Sequence, residues 1–410
     1  MSTKPLSATP LEIMPVRGVR LAAIAAGIRY AERLDLVALV FDPGTRAAGV
    51  FTRNAFCAAP VLLAKEHLRQ CEGRPRLLLI NTGNANAGTG QAGFDDALSC
   101  CQAAAAAAAL STREVLPFST GVIGEDLPVD RLSSAIPALL EGLDEAHWAR
   151  AAQGILTTDT RAKGASRQFS CAGIDYCLSG IAKGAGMLRP NMATMLAFLA
   201  TDAPVSNPVL DTLLHRAVER SFHRITVDGD TSTNDAVLLA ATGAAGGSEA
   251  LDVATPLARA LGEALDSLCV ELAQALVRDA EGASKFVAIE VIGGASVEEC
   301  LEVAFTVAHS PLVKTALFAS DPNWGRILAA IGRADLEDLD VNRVRVDISG
   351  VPIAEGGARS VHYSEADVAA VMALDDLQLQ IDLGRGAHRE TVWTSDLSYD
   401  YVRINAEYRS

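Results

Sequence analysis

Short apolar runs bounded by Gly, Asn and Asp recur through the first half of the chain and predict strands at residues 36–41, 49–52 and 77–80, the last ending at Asn81-Thr82-Gly83-Asn84. The alanine tract at residues 103–109 reads as a close-packed helix, because alanine has the highest helix propensity. Residues 170–181 read as one strand, glycines then crowd at Gly180, Gly184 and Gly186, and a second strand is expected at residues 194–200. In the second half, Asn207-Pro208 and Thr255-Pro256 each place a capping residue before a proline suited to a first helical turn. The first of these helices is expected to run to Ser221. Leu257, Leu261, Leu265, Leu268, Leu272 and Leu276 recur at spacings of three and four, so one leucine face must be buried. A strand is expected at residues 285–292, then a helix opened by the capping pair Ser296 and Glu299, then strands at 342–348 and 377–383, the last strictly alternating. Strands and helices are interspersed without a regular βαβ metre, which predicts a layered α+β architecture with helices outside two packed sheets.

Length and charge narrow the classes. A chain of 410 residues suggests about two to three domains. Its net charge of −15 repels nucleic acid and anionic membrane surfaces, so neither is an expected partner. No apolar stretch approaches the roughly 20 residues that cross a bilayer. Pro5, Pro10 and Glu12 interrupt the order of a secretory leader, so a cytoplasmic location is expected. Eight cysteines without a Cys-x-x-Cys pair support neither a disulfide scaffold nor a zinc cage, and are expected to be reduced and mostly buried.

Several chemistries can be weighed on their residues. Gly88-Thr-Gly90-Gln-Ala-Gly93 matches a dinucleotide fingerprint, but the expected strand stops at Ile80, too early to turn directly into it. Asp228, Asp230, Ser232 and Asn234 imitate the start of a calcium loop, yet Thr233 and Leu239 stand where that loop needs glycine and glutamate, so no metal is expected. The seven histidines show no catalytic spacing, and no serine elbow or zinc-protease helix is present. Attention therefore falls on the segment 183–196, where glycines, Pro190 and Asn191 lead to Ala193-Thr194. A small residue before a hydroxyl in a flexible segment suits an N-to-O acyl shift and hydrolysis. The product is a chain beginning at Thr194, whose free α-amine can act as base for its own hydroxyl. Such an amine titrates near 8 unperturbed, and partial burial lowers that value.

At these residues the chain resembles the ornithine acetyltransferase family, the bifunctional glutamate N-acetyltransferases of arginine biosynthesis. The likeness extends in order through Gly49-Val-Phe-Thr-Arg-Asn, Cys57-Ala-Ala-Pro-Val, Asn81-Thr-Gly-Asn-Ala-Asn-Ala-Gly, Ser119-Thr-Gly-Val-Ile-Gly, Thr157-Thr-Asp-Thr, the segment 183–196, Ile225-Thr-Val-Asp-Gly-Asp-Thr-Ser-Thr-Asn-Asp, Ser320-Asp-Pro-Asn-Trp-Gly-Arg and Asn405-Ala-Glu-Tyr-Arg-Ser. The resemblance implies an αββα sandwich, layered like amino-terminal nucleophile hydrolases but connected differently. It implies cleavage between Ala193 and Thr194 into an α chain, 1–193, and a β chain, 194–410, assembled as an (αβ)₂ heterotetramer. Thr194 is then the nucleophile, Thr120 and Gly121 stabilise the oxyanion, and Thr157, Lys183, Thr194, Glu281, Asn405 and Ser410 contact substrate. His223 stands where relatives are expected to carry Asn.

The implied reaction is a ping-pong transfer of acetyl from N-acetylornithine to glutamate through acetyl-Thr194, with no cofactor and with acetyl-CoA left open as a second donor. Both substrates carry a carboxylate and ornithine an ammonium, so Lys183 and Glu281 supply the two signs the site needs. Two alternatives stay open at this stage: an amino-terminal nucleophile amidohydrolase or aminopeptidase using water as acceptor, and a nucleotide-binding module built on Gly88–Gly93.

Overall fold

Strand Leu36–Phe41 is buried at every position, so both of its faces must be covered, as in the inner layers of a sandwich and unlike a sheet with one wet side. The computed structural model describes residues 11–189 and 195–407. They form two compact units, one of residues 11–184, 195–220 and 232–272 and the other of residues 185–189, 221–231 and 273–407.

The first unit contains two sheets. One runs in the order Val19–Ile24, Leu36–Phe41, Leu77–Asn84, Val115–Val122, its last pair parallel. The other runs Arg46–Phe51, Ala236–Ala241, Leu196–Thr201, Ile174–Lys183, Lys163–Cys171, with its second and third strands parallel. Their inner faces meet in one apolar cluster: Val37, Leu39, Ile80 and Phe118 pack with Ile181, Leu196, Phe198 and Leu238. Phe118 and Phe198 cross edge to face with centroids 5.0 Å apart, and emptying either ring site would cost about 3–5 kcal/mol. Helices Gly90–Ala108 and Val129–Glu141 cover the outer face of the first sheet through Ala97, Cys101, Ala104, Leu132 and Ile136. Helix Pro256–Arg278 lies against the second sheet, where Leu268 and Leu272 approach Gly180. The helix–sheet–sheet–helix layering expected from the sequence is therefore present in this unit.

The second unit has a sheet of its own, seven strands in the order Ala358–Arg359, Val351–Glu355, Arg345–Ile348, Asp376–Asp382, Phe286–Gly294, His388–Ser395, Ile225–Thr226. Helices Val297–Ala308, Pro311–Phe318, Trp324–Ile331 and Glu365–Met372 bury its apolar side. The sequence pattern located several of these strands but not their grouping. The alternation of Asp376–Asp382 between exposed and buried positions is the physical sign of a separate sheet with one polar face.

Local differences have local causes. The expected single strand at 170–181 is a hairpin, Lys163–Cys171 with Ile174–Lys183. Its two-residue turn puts Ala172 at φ 51° and Gly173 at φ 78°, a turn type that Asn-Gly would have announced and Ala-Gly does not. The strand from Leu77 runs on to Asn84 rather than stopping at Ile80. Helix Pro256–Arg278 begins directly after its predicted cap Thr255, whose Oγ1 accepts the Ala258 amide at 3.3 Å, and Ser296 Oγ accepts the Glu299 amide as a capping residue should. Helix Asn207–Arg220 starts one residue earlier than expected, at Asn207 itself, whose Nδ2 donates to the Ala47 and Gly73 carbonyls. All six leucines of the 257–276 stripe are buried. Among the described residues no helix is long and apolar enough to cross a membrane. The compact units do not follow the expected α and β chains: residues 195–220 and 232–272 lie beyond the expected cleavage point yet belong to the first unit.

Candidate active site

Ser119-Thr120-Gly121 lies on strand Val115–Val122, parallel to Leu77–Asn84. The register slips at Gly83 and Asn84, and there Gly121 takes φ 137°. A Cβ at Gly121 would stand 2.3 Å from the Gly83 carbonyl carbon and 2.5 Å from the Asn84 nitrogen, so only glycine fits. Asn81 supports the same stretch: its Oδ1 accepts from Ser119 Oγ at 2.6 Å, and its Nδ2 donates to the Asn84 carbonyl at 2.9 Å.

Lys183 ends strand Ile174–Lys183 and is 2 % exposed. Its ammonium donates to Thr120 Oγ1 at 2.9 Å and to Thr157 Oγ1 at 2.8 Å. A hydroxyl that accepts from a cation keeps its own proton to donate, which suits Thr120 to stabilising an oxyanion. Thr120, Gly121, Thr157 and Lys183, separated in sequence, are thus brought together in the first unit.

Two residues that sequence reasoning passed over complete this group. Asp159 Oδ1 accepts from Lys163 Nζ at 2.6 Å and from the Gly184 amide at 2.8 Å, while Oδ2 accepts from the Thr157 amide at 3.2 Å. Both charged side chains are essentially sealed from solvent. Burial alone would raise the Asp159 pKa, but the ammonium charges of Lys163 and Lys183 and the hydrogen bonds it accepts hold it down to about 2. Its position in Thr157-Thr-Asp159-Thr was the available signal, masked because a short charged loop ordinarily reads as solvated surface. Asp159→Asn leaves Lys163 buried without its counter-charge and should cost about 3–5 kcal/mol, read from denaturant unfolding. Because the carboxyl titrates at about 2 when folded against 3.8 ordinarily, its stabilisation is complete above the ordinary value and lost as the pH falls through the folded one. The variant should lack that acid limb.

The loop before strand Ala236–Ala241 also enters the first unit's site. Asn234 Nδ2 donates to the Ala85 and Ser119 carbonyls at 2.7 and 2.9 Å, and Asp235 Oδ1 accepts from the Met195 amide at 2.9 Å. Burial pushes the Asp235 carboxyl well above the usual range, against the opposing effects of the Met195 amide and the Lys183 charge.

In the second unit, Glu281 is buried, its amide donates to the Ala185 carbonyl at 2.9 Å, and its carboxylate packs on Gly186. Asn405, on helix Tyr399–Ala406, donates to Glu281 Oε2 at 2.8 Å. Gly282, at φ 66°, lets this turn approach the helix, since a Cβ there would lie 2.5 Å from the Tyr401 nitrogen. Ser398 caps the helix and donates to the Gly282 carbonyl at 2.6 Å. Asp228 accepts from the Met187 amide at 2.6 Å and from Tyr401 Oη at 3.3 Å. Ala193, Thr194 and Ser410 lie outside the described residues.

The remaining candidates resolve into structural contacts. Across Gly88–Gly93, where helix Gly90–Ala108 begins, Asn86 Nδ2 donates to the Gly93 carbonyl at 2.7 Å and Thr89 Oγ1 to Asn86 Oδ1 at 2.8 Å. Gly93 makes room for both side chains, since a Cβ there would stand 1.9 Å from Thr89 Oγ1 and 2.3 Å from Asn86 Oδ1. His67 contacts the Val115 carbonyl through Nδ1 at 2.7 Å. His309 meets Thr226 Oγ1 at 3.0 Å, its pKa lowered by burial and neighbouring cations to about 4. His223 lies in the 3₁₀ turn Phe222–Arg224 ahead of strand Ile225–Thr226.

Comparison with known proteins agrees on one relationship. The sequence model of the ArgJ family matches residues 20–410. The arginine biosynthesis bifunctional protein ArgJ of Pseudomonas syringae pv. tomato is 54% identical over 396 residues, covering 97% of each chain. That of Methylococcus capsulatus is 52% identical over 402 residues, covering 98% of this chain and 97% of its own. The crystal structure of arginine biosynthesis bifunctional protein ArgJ from Bacillus halodurans is similar at 36% identity, covering 50% of this chain and 95% of that one with a TM-score of 0.48. With a family model matched from residue 20 to the last residue and relatives sharing more than half their residues, the chain belongs to the ArgJ family.

Proposed function

We propose that this arginine-biosynthesis acetyltransferase moves acetyl from N-acetylornithine to glutamate through an acetyl-Thr194 intermediate. The single observation that carries the reading is the buried Lys183 ammonium bonded to Thr120 and Thr157 beside the glycine-only position Gly121. That group supplies oxyanion donors and a cation for a substrate carboxylate in one place.

In the first half-reaction the α-amine of Thr194 takes the hydroxyl proton as Oγ attacks the acetyl carbon. The tetrahedral oxyanion rests on Thr120 and Gly121. The amide C–N bond breaks and ornithine leaves with the proton. In the second, the glutamate amine attacks the ester carbonyl, the C–Oγ bond breaks and Thr194 regains its proton. Lys183 and Thr157 hold substrate carboxylate, while Glu281, Asn405 and Ser410 take the polar and cationic part. Thr194 becomes a chain terminus by cleavage after Ala193. Acetyl-CoA as a further donor, an (αβ)₂ assembly and a cytoplasmic location belong to the same reading. Support for chains that stay together comes from strand pairing: Leu196–Thr201 is bonded to Ile174–Lys183, and Ala236–Ala241 to Arg46–Phe51, each across the proposed break.

Incubating purified enzyme with N-acetylornithine, with and without glutamate, tests the reaction. N-acetylglutamate should form in step with ornithine, and acetate released at the same rate without glutamate would make it a hydrolase instead. Deleting residues 405–410 removes the Asn405 donor from Glu281. Transfer should fall by at least about tenfold, the scale of one lost charge-assisted hydrogen bond, with thermal unfolding little changed. Full activity in the truncated chain would overturn the role given to this end.

A further inference from the structure

Thr120 and Gly121 lie on the first sheet of the sandwich, and Met195, next in chain to Thr194, leads into strand Leu196–Thr201 of the second. Apolar packing holds two such sheets face to face but leaves small sliding motions inexpensive, whereas an oxyanion hole tolerates little error in position. Something directional has to set one sheet against the other.

Resting on the acetyl-threonine reading above, we propose that Asn234 and Asp235 are positioning residues that hold the oxyanion strand and the nucleophile strand in a fixed relation. Asn234, 5 % exposed, spends both Nδ2 protons on carbonyls of the first sheet's side: Ala85 at 2.7 Å and Ser119 at 2.9 Å. Ser119 directly precedes Thr120. Asn234 Oδ1 accepts from Thr233 Oγ1 at 2.6 Å, which sets the amide's orientation. Asp235, 1 % exposed, accepts from the Met195 amide at 2.9 Å, and the next residue, Ala236, donates its amide to the Met195 carbonyl at 3.2 Å. Met195 directly follows Thr194. The backbone of the loop is tied in as well, since the Thr52 amide donates to the Asp235 carbonyl at 3.0 Å and Thr52 Oγ1 to the Ser232 carbonyl at 2.8 Å.

Two adjacent residues therefore grip the chain one position from each half of the reacting centre. The residue types fit the task. Two carbonyls require two donors on one short side chain, which a carboxamide supplies and a carboxylate does not, and a backbone amide requires an acceptor. The role assigned to both residues is positioning and not chemistry on the reacting atoms. Their effect passes through Ser119 and Met195, so it falls on catalytic geometry in both self-cleavage and transfer more than on substrate affinity.

The test compares the full-length wild type with Asn234→Ala, Asp235→Ala and Asp235→Asn, following chain processing by intact mass, kcat and KM with N-acetylornithine and glutamate, and folding by circular dichroism. Asn234→Ala is expected to slow self-cleavage and lower kcat by about 10- to 100-fold with KM within about twofold. Asp235→Ala should behave alike, while Asp235→Asn, which keeps an acceptor for the Met195 amide, should recover most of the loss. Should Asp235→Ala fail to fold, Asn234→Ala and Asp235→Asn carry the comparison. Folded Asn234→Ala that processes and turns over at the wild-type rate overturns the proposal, as does a loss confined to KM. An Asp235→Asn chain as impaired as Asp235→Ala overturns the acceptor role of Asp235. A wild type that never yields a chain starting at Thr194 overturns the underlying reading instead, and this inference with it.

Discussion

Thr194→Ala should remain one uncleaved chain of 42.9 kDa and transfer no acetyl group at all. Alanine has no side-chain oxygen, so the N-to-O shift has no acceptor for the Ala193 acyl group. Without the shift there is no free α-amine to serve as base, and the two losses coincide. Thr194→Ser keeps the oxygen and should still cleave. Intact-mass analysis reads both outcomes, and terminal sequencing of the wild type should return Thr-Met-Leu. Two fragments from Thr194→Ala would remove Thr194 from the processing step. Under native conditions the wild-type fragments should migrate as one species, because the two strands that follow the break, Leu196–Thr201 and Ala236–Ala241, lie side by side between strands that precede it in one sheet.

Gly121→Ala should lower kcat by about 10²- to 10³-fold, the usual loss when one oxyanion donor is misplaced. The cause lies in backbone, which cannot swing aside as a side chain would. At φ 137° the new methyl would stand 2.3 Å from the Gly83 carbonyl carbon, 2.5 Å from the Asn84 nitrogen and 2.7 Å from the Gly83 Cα. Relief requires the Thr120–Gly121 peptide to move away from the neighbouring strand, and Thr120 Oγ1 with it from Lys183. An added strain of about 1–3 kcal/mol should appear in unfolding curves. Lys183 keeps its bond to Thr157 on a strand the substitution does not displace, so KM should change much less than kcat. Steady-state kinetics, with trapping of the acetylated fragment by mass, separate the two. A variant with wild-type kcat would dissociate Gly121 from oxyanion stabilisation.

The contrast between Lys183 and Asp159 shows how far sequence reasoning reaches into the site. Lys183 was legible through the motif of residues 183–196 that carries the family resemblance, together with the need for a cation opposite a substrate carboxylate; by itself a lone lysine reads as surface charge. Asp159 was visible only as part of a short polar motif, and its meaning depends on Lys163 and the Gly184 amide being folded onto it. Asn234 was weighed as a metal-loop imitation. Its partners lie 149 and 115 residues away, and no local pattern encodes such a bond. The turn at Ala172-Gly173 was missed for a different reason: the positive φ values are imposed by strand pairing on residues that do not advertise them.

Periodicity, caps and composition by themselves determined the helices starting at Asn207 and Pro256, the strand Leu36–Phe41 and the α+β character, because each depends on contacts within a few residues or on the burial of a repeating face. Motif order determined the family. Only the tertiary structure decided that strands on both sides of residue 194 share one sheet, that a seven-stranded sheet forms separately, and that Lys183 bridges Thr120 and Thr157. Those outcomes rest on pairings between distant segments, whose free energy comes from excluding water and satisfying buried polar groups together and has no signature at any one position.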